Sequence, residues 1–259
     1  MSWKNAFSYL GRLSGRGKSR DEVSADAGLP LGLRIGSLVS IKSGYYLAMD
    51  QRATFVRPLP AAAAVKAISS LSLNMDLRVH RFWIETGDSG VAARFLQITS
   101  ALDGTPKEAF LCSLIARYVP VSVEEQDIYT GANQIGLGER EFAVQRDSID
   151  QRFYSADEIE KAFGDSVDLV FRRDVGGSEN FVAPFTGVEI RIDDSRGERG
   201  LEQSVWFMPY FRRFGGISEH LFITTANLTS RNGRPEREVY VDFVAGLPVP
   251  LTDLAVVCG

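Results

Sequence analysis

The most confining feature of the chain is a two-residue rhythm that restarts after nearly every turn signal. Residues 35–42, 45–50, 77–86, 91–99, 168–174, 188–193, 205–214, 220–225 and 239–244 are rich in β-branched and aromatic residues that alternate with polar ones, and Gly, Asp and Asn stand between them. Side chains fall on alternate faces in a strand, so the rhythm predicts an α+β, mostly β protein: an antiparallel β-rich body with few short helices. Runs 61–70 and 108–117 are apolar at a length that fits a buried strand or a buried helix equally.

One helix is marked by its ends. Ser155 is placed to cap the following amides and Glu158, three residues on, completes a capping box. Tyr154 and Ile159 sit at staple positions and Gly164 is a stop. The expected span is 156–163, with Ile159, Ala162 and Phe163 on the apolar side. A local echo also appears: Phe171, Arg172, Arg173, Gly176, Ser178 and Glu179 recur as Phe211, Arg212, Arg213, Gly216, Ser218 and Glu219. It reads as two similar strand-turn-strand units rather than a duplicated ligand site, because turn chemistry alone accounts for the glycines.

Charge divides the chain. Lys plus Arg is 29 and Asp plus Glu is 33, yet residues 1–20 hold five cations (Lys4, Arg12, Arg16, Lys18, Arg20) and no carboxylate. The rest carries 24 cations against 33 anions, and an acidic body repels phosphate backbones, which argues against nucleic acid as a partner. In the opening segment Trp3, Phe7 and Leu10 recur at helical spacing beside Lys4 and Arg12. That is a short N-terminal amphipathic helix, followed by a Gly/Ser/Arg tether, and it is the expected anchor to a weakly bound anionic membrane surface or to a protein partner. Residues 1–28 are therefore read as a basic segment and tether. Residues 29–259 are the body, either one domain or two packed halves, 29–140 and 141–259.

Motifs that carry chemistry are few. Gly87-Asp88-Ser89-Gly90 matches the surroundings of a serine-protease nucleophile, but a hairpin turn explains the same residues, and the only upstream histidine, His80, lies on the expected preceding strand. His80, His220, Cys112 and Cys258 are too scattered for a zinc pattern, so no metal is expected, and two isolated thiols imply no disulfide framework. Neither phosphate-cradling glycine motif is present, and no cofactor is implied. The acidic runs Glu124-Glu125-Asp127 and Asp193-Asp194 adjoin expected turns and read as solvated faces. No apolar run has the roughly 20 residues that span a bilayer, and the start lacks a secretory apolar stretch, which points to the cytoplasm.

The arginines are the remaining candidates. Arg outnumbers Lys 23 to 6, and Arg172, Arg173, Arg212 and Arg213 form an expected anion-facing cluster. An enzyme with an unrecognised small-molecule site is the competing expectation, with Asp193, Asp194 or Glu219 acting beside His220.

Three stretches resemble the YjfK-like family of bacterial proteins, a domain of unknown function. They are Leu29-Pro30-Leu31-Gly32-Leu33-Arg34-Ile35-Gly36-Ser37-Leu38-Val39, the 131–138 stretch with Ile135-Gly136, and the 207–214 stretch with its Arg-Arg pair. The resemblance spans the body from Leu29 and carries no catalytic residues. It implies a membrane-stress setting, with a phage-shock-protein-A-like membrane-associated protein as partner. Together these readings predict a non-enzymatic binding or adaptor module at the inner membrane surface, of open oligomeric state.

Overall fold

Along 168–173 burial alternates residue by residue, with Leu169, Phe171 and Arg173 inward and Val170 and Arg172 outward. The same rhythm organises most of the chain. The computed structural model describes residues 24–42, 44, 55–59, 62–85, 92–214, 216–231 and 234–257. Their elements are β1 (Leu38–Ile41), β2 (Ala63–Leu73), β3 (Leu77–Ile84), β4 (Arg94–Ala101), β5 (Pro106–Tyr118), α1 (Val123–Thr130), β6 (Glu141–Gln145), α2 (Ala156–Phe163), β7 (Asp168–Arg173), β8 (Phe185–Ile192), β9 (Gly200–Phe214), β10 (Ile217–Arg231), β11 (Arg234–Pro248) and β12 (Leu254–Val257). The mostly β reading holds. The ambiguous runs are both strands, β2 and β5. The expected strand at 45–50, the turn at 87–90, Cys258 and the N-terminal helix with Trp3, Lys4, Phe7, Leu10 and Arg12 lie outside the described residues.

Eight strands close into an antiparallel barrel in the order β2-β3-β4-β5-β11-β10-β9-β8, with β8 pairing back onto β2. Closure leaves none of the eight as a free edge, since every one has two partners. The closing seam needs Gly187: a Cβ there would stand 1.9 Å from the Ser72 carbonyl oxygen, so any side chain would push β2 and β8 apart. Two flaps extend the sheet. β12 and β1 continue from β2. β7 and β6 continue from the far end of β9, where β7 takes Tyr210 and Phe211 after β8 has left at Phe207.

Register assigns the two faces of the barrel wall. Arg81 is opposite Gln97, and Trp83 is opposite Phe95. The Arg81 side chain reaches Thr224 on β10, on the far side of the ring, so this set points inward. Trp83, Phe95, Phe110, Phe207 and Phe222 form a buried apolar cluster on this inward face. The other face carries Phe82, Ile98, Leu111, Ile223 and Met208, buried in a second core with the flaps and α2.

α2 forms as its ends predict. Ser155 Oγ accepts from the Glu158 amide, and the Glu158 carboxylate accepts from the Ser155 amide at 2.9 Å. Ile159, Ala162 and Phe163 are its buried face, and the large ones contribute roughly 1.5–3 kcal/mol each through apolar area removed from water. α1 was unexpected. Ser122 caps it and Gly131 ends it in the left-handed region at φ 70°, but none of its eight residues is buried. The echoed Arg-Arg-Gly stretches also differ. β9 turns directly into β10, whereas β7 leads into an irregular 174–184 loop before β8.

Candidate functional site

Two concavities stand out, one in the barrel lumen and one on its rim. The lumen cavity is about 30 Å³, the scale of a water or two, and its walls include Arg81, Trp83, Glu189, Gln203, Tyr240 and Asp242. Arg81 is the centre of this network. Its Nε donates to Gln97 Oε1 at 3.1 Å, one terminal nitrogen donates to Thr224 Oγ1 at 2.8 Å, and the other faces Glu189 at 3.8 Å. Gln203 Nε2 donates to Glu189 at 2.7 Å, and Tyr240 OH donates to Gln203 Oε1 at 2.6 Å. The rings of Phe95 and Phe207 flank the guanidinium at 5.4 and 6.0 Å. At the same cavity Arg117 forks onto Asp242 at 2.6 and 2.8 Å, and Arg191 holds Asp193 at 2.8 Å. Arg81, Arg117 and Arg191 thus each face a carboxylate. Each cationic wall is committed to a carboxylate partner within the protein, Asp193 lying just beyond the lining.

The rim groove lies where β7 joins β9, has a volume of about 460 Å³ and is lined by Val170, Arg172, Phe211, Arg212 and Arg213. Arg172 is opposite Phe211 in the register, so Val170, Arg172, Phe211 and Arg213 share one face of the flap by strand alternation. Val170 is 50% exposed, an apolar side chain left in water. Arg172 meets Glu141 at 3.4 Å, but both are well exposed, and an exposed pair of this kind is worth at most about 1 kcal/mol. Arg213 is exposed and forms no ion pair among the described residues.

The four sequence-predicted arginines therefore separate by parity. Arg173 and Arg212 belong to the opposite face. Arg173 is only 7% exposed, and its guanidinium donates to the carbonyls of Val175 at 2.9 Å, Glu179 at 2.6 Å and Gly138, tying the 174–180 loop to the 131–138 loop. Arg212 pairs with buried Glu219 at 2.5 Å and lies over the Phe171 ring at 5.1 Å. Arg172 and Arg213 lie on the groove face by strand alternation, whereas Arg212, which also lines the groove, has its guanidinium paired with Glu219. Val170 is the lining residue the sequence reading missed, although its position two before Arg172 places it on the same face.

The residues weighed for acid–base chemistry are far apart. Asp193 and Asp194 adjoin the start of β9, Asp194 accepting from the amides of Arg196, Glu198 and Arg199, whereas Glu219 pairs with Arg212 near its end. Twelve residues of strand, about 40 Å, separate these sites. Glu219 and His220 are neighbours in β10 and point to opposite faces. His220 sits instead among Phe110 at 4.8 Å, Phe222 at 5.9 Å and Phe211 at 6.3 Å, with Asp174 Oδ2 3.5 Å from its Nδ1. Burial lowers its pKa to about 4, while burial and then Glu108 raise that of Asp174. His80, on the outer face, is likewise lowered to about 4 by burial and then by Arg78. Cys112 is fully buried, which pushes its thiol far up.

Among the described residues no three His, Cys, Asp or Glu side chains gather as a metal site requires. No helix among them is long and apolar enough to cross a membrane. Comparison of the chain with family models, with curated proteins and with solved structures gives no match.

Proposed function

We propose that the protein is a non-enzymatic binding module in which the barrel is a rigid platform and the β7–β9 groove holds the ligand. One observation carries this reading: an apolar floor, Val170 and Phe211, is bordered by two exposed guanidiniums, Arg172 and Arg213, on one face of a flap. Arginine presents a planar fork to a carboxylate, and a neighbouring apolar surface favours a ligand with an aliphatic or aromatic group beside its charge. An acidic protein segment meets both requirements. The opening segment, with Trp3, Lys4, Phe7, Leu10 and Arg12, supplies a second contact in this proposal by resting on an anionic membrane surface, where each cation contributes on the order of 1 kcal/mol.

The groove is tested by anisotropy titration of a labelled peptide of alternating Glu and Phe. Binding should weaken at least tenfold in Arg172→Glu/Arg213→Glu, and equal affinity of the variant and the parent would remove the proposal. The anchor is tested separately, by sedimentation with anionic and neutral vesicles of the full chain and of a form lacking residues 1–20. Loss of anionic-vesicle binding on truncation is the expected result, and identical behaviour of the two forms would contradict it.

A further inference from the structure

α1 lies on the surface: none of its residues is buried, and Val123, Glu124 and Ile128 are exposed. Tyr129 holds it, with ring centroids 5.5 Å from Tyr118 and 6.0 Å from Phe243, and Thr225 Oγ1 donates to the Tyr129 carbonyl. Val123 is 68% exposed, Ile128 38%, and Val121 just before the helix 85%. Residues four apart on a helix stand one above the other, so Val123 lies beside Asp127 and Glu124 beside Ile128. These two adjacent stripes each set an apolar side chain next to a carboxylate. The helix carries no basic residue in its last turn, and Glu124 and Glu125 add charge to its first.

The rim groove is the complement in both respects, with apolar Val170 and Phe211 set beside Arg172 and Arg213. The two surfaces occupy opposite faces of the molecule. Phe142 of β6 packs on Tyr210 and Phe243, the side on which Tyr129 also packs, while Arg172 and Phe211 project from the other side of the flap. One copy therefore cannot fill its own groove with its own helix.

We infer that the groove's partner is a second copy of this chain, which docks its α1 helix into the groove head to tail. The inference rests on the groove reading above and names its occupant. A contact between two different patches is heterologous, so each copy keeps one helix and one groove to offer, and association continues into rings or short chains. The contact is partly electrostatic and weakens with salt.

Sedimentation velocity of the full chain over a range of concentrations tests it, using two charge reversals and their mixture. The parent should show concentration-dependent association that declines as salt is raised. Arg172→Glu/Arg213→Glu and Glu124→Arg/Asp127→Arg should each associate at least tenfold more weakly, with circular dichroism and melting temperature retained. Mixing the two variants restores opposite charge at every groove–helix contact, so association should return in the mixture alone. A parent that stays monomeric, a variant that associates like the parent, or a mixture no better than its components would each overturn the inference. The groove reading is separable. A monomeric parent that still binds the Glu-Phe peptide through Arg172 and Arg213 sinks only the second-copy proposal, and failure to bind the peptide sinks the groove.

Discussion

Inside the barrel, Arg81 is stripped of water, bonded to Gln97 and Thr224 and facing Glu189, whereas at the rim Arg172 and Arg213 stand in solvent over Val170 and Phe211. The same side chain thus serves opposite ends. A dry guanidinium has lost its hydration and is held by partners that must all be present, so its removal leaves those partners exposed to the same loss. A hydrated one has little bearing on folding and keeps its charge for a ligand. The difference teaches that arginine count or clustering in the chain says nothing about availability; parity along the strand and position relative to the closing seam decide it.

The sharpest way to break this comparison is to remove the buried charge. Arg81→Met should lower unfolding stability by about 3–5 kcal/mol in urea titration, because buried Glu189 loses the guanidinium it faces and keeps the Gln203 hydrogen bond. Adding Glu189→Leu should recover much of that loss, since the unpaired carboxylate goes with it. A single variant as stable as the parent would show that the lumen network is not what the geometry makes it.

Acid tests the lumen from another side. His220 has a folded pKa near 4 against about 6.5 unfolded, so the unfolded chain takes up a proton first as pH falls. Stability is unaffected above pH 6.5 and declines between 6.5 and 4, by about 3 kcal/mol at the lower limit. Asp174 Oδ2 lies 3.5 Å from His220 Nδ1, and burial followed by Glu108 raises its own pKa. His220→Phe should flatten that part of the pH–stability curve. His80 has a shift of the same size and gives an independent slope, so its decline remains in the variant.

The helices repeat the contrast at smaller scale. Ser155→Ala should cost about 1 kcal/mol of global stability, because α2 buries Ile159 and Phe163 against the core. Ser122→Ala should frustrate α1 locally and move global stability less, since no residue of α1 is fully buried and Tyr129 alone packs on the core cluster. Hydrogen exchange of the α1 and α2 amides would report both.

Much of this was legible in the sequence, and the unread part has physical causes. Strands such as β7 announce themselves by alternation, and α2 by Ser155, Glu158 and Gly164. Ser122 and Glu125 spell the same cap for α1, yet no apolar face follows, so periodicity is silent there. β6 buries only Val144 and offers too short a pattern to detect. Barrel closure joins residues 68–73 to 187–192, a pairing no local rhythm encodes. It is closure that turns Arg81, Glu189 and Gln203 inward, at positions whose polarity reads as surface. Arg173 escaped for a similar reason, because its carbonyl partners come from two loops that are adjacent only in the fold.

The smallest stability effect belongs to the rim. Arg172→Ala and Arg213→Ala should each change stability by no more than about 0.5 kcal/mol. The most direct test of the account is amide chemical-shift mapping on the parent protein during titration with the Glu-Phe peptide. The account predicts shifts centred on Val170, Arg172, Phe211 and Arg213 while Arg81, Gln97 and Glu189 stay still. Shifts centred on those lumen residues, with the rim unmoved, would contradict it.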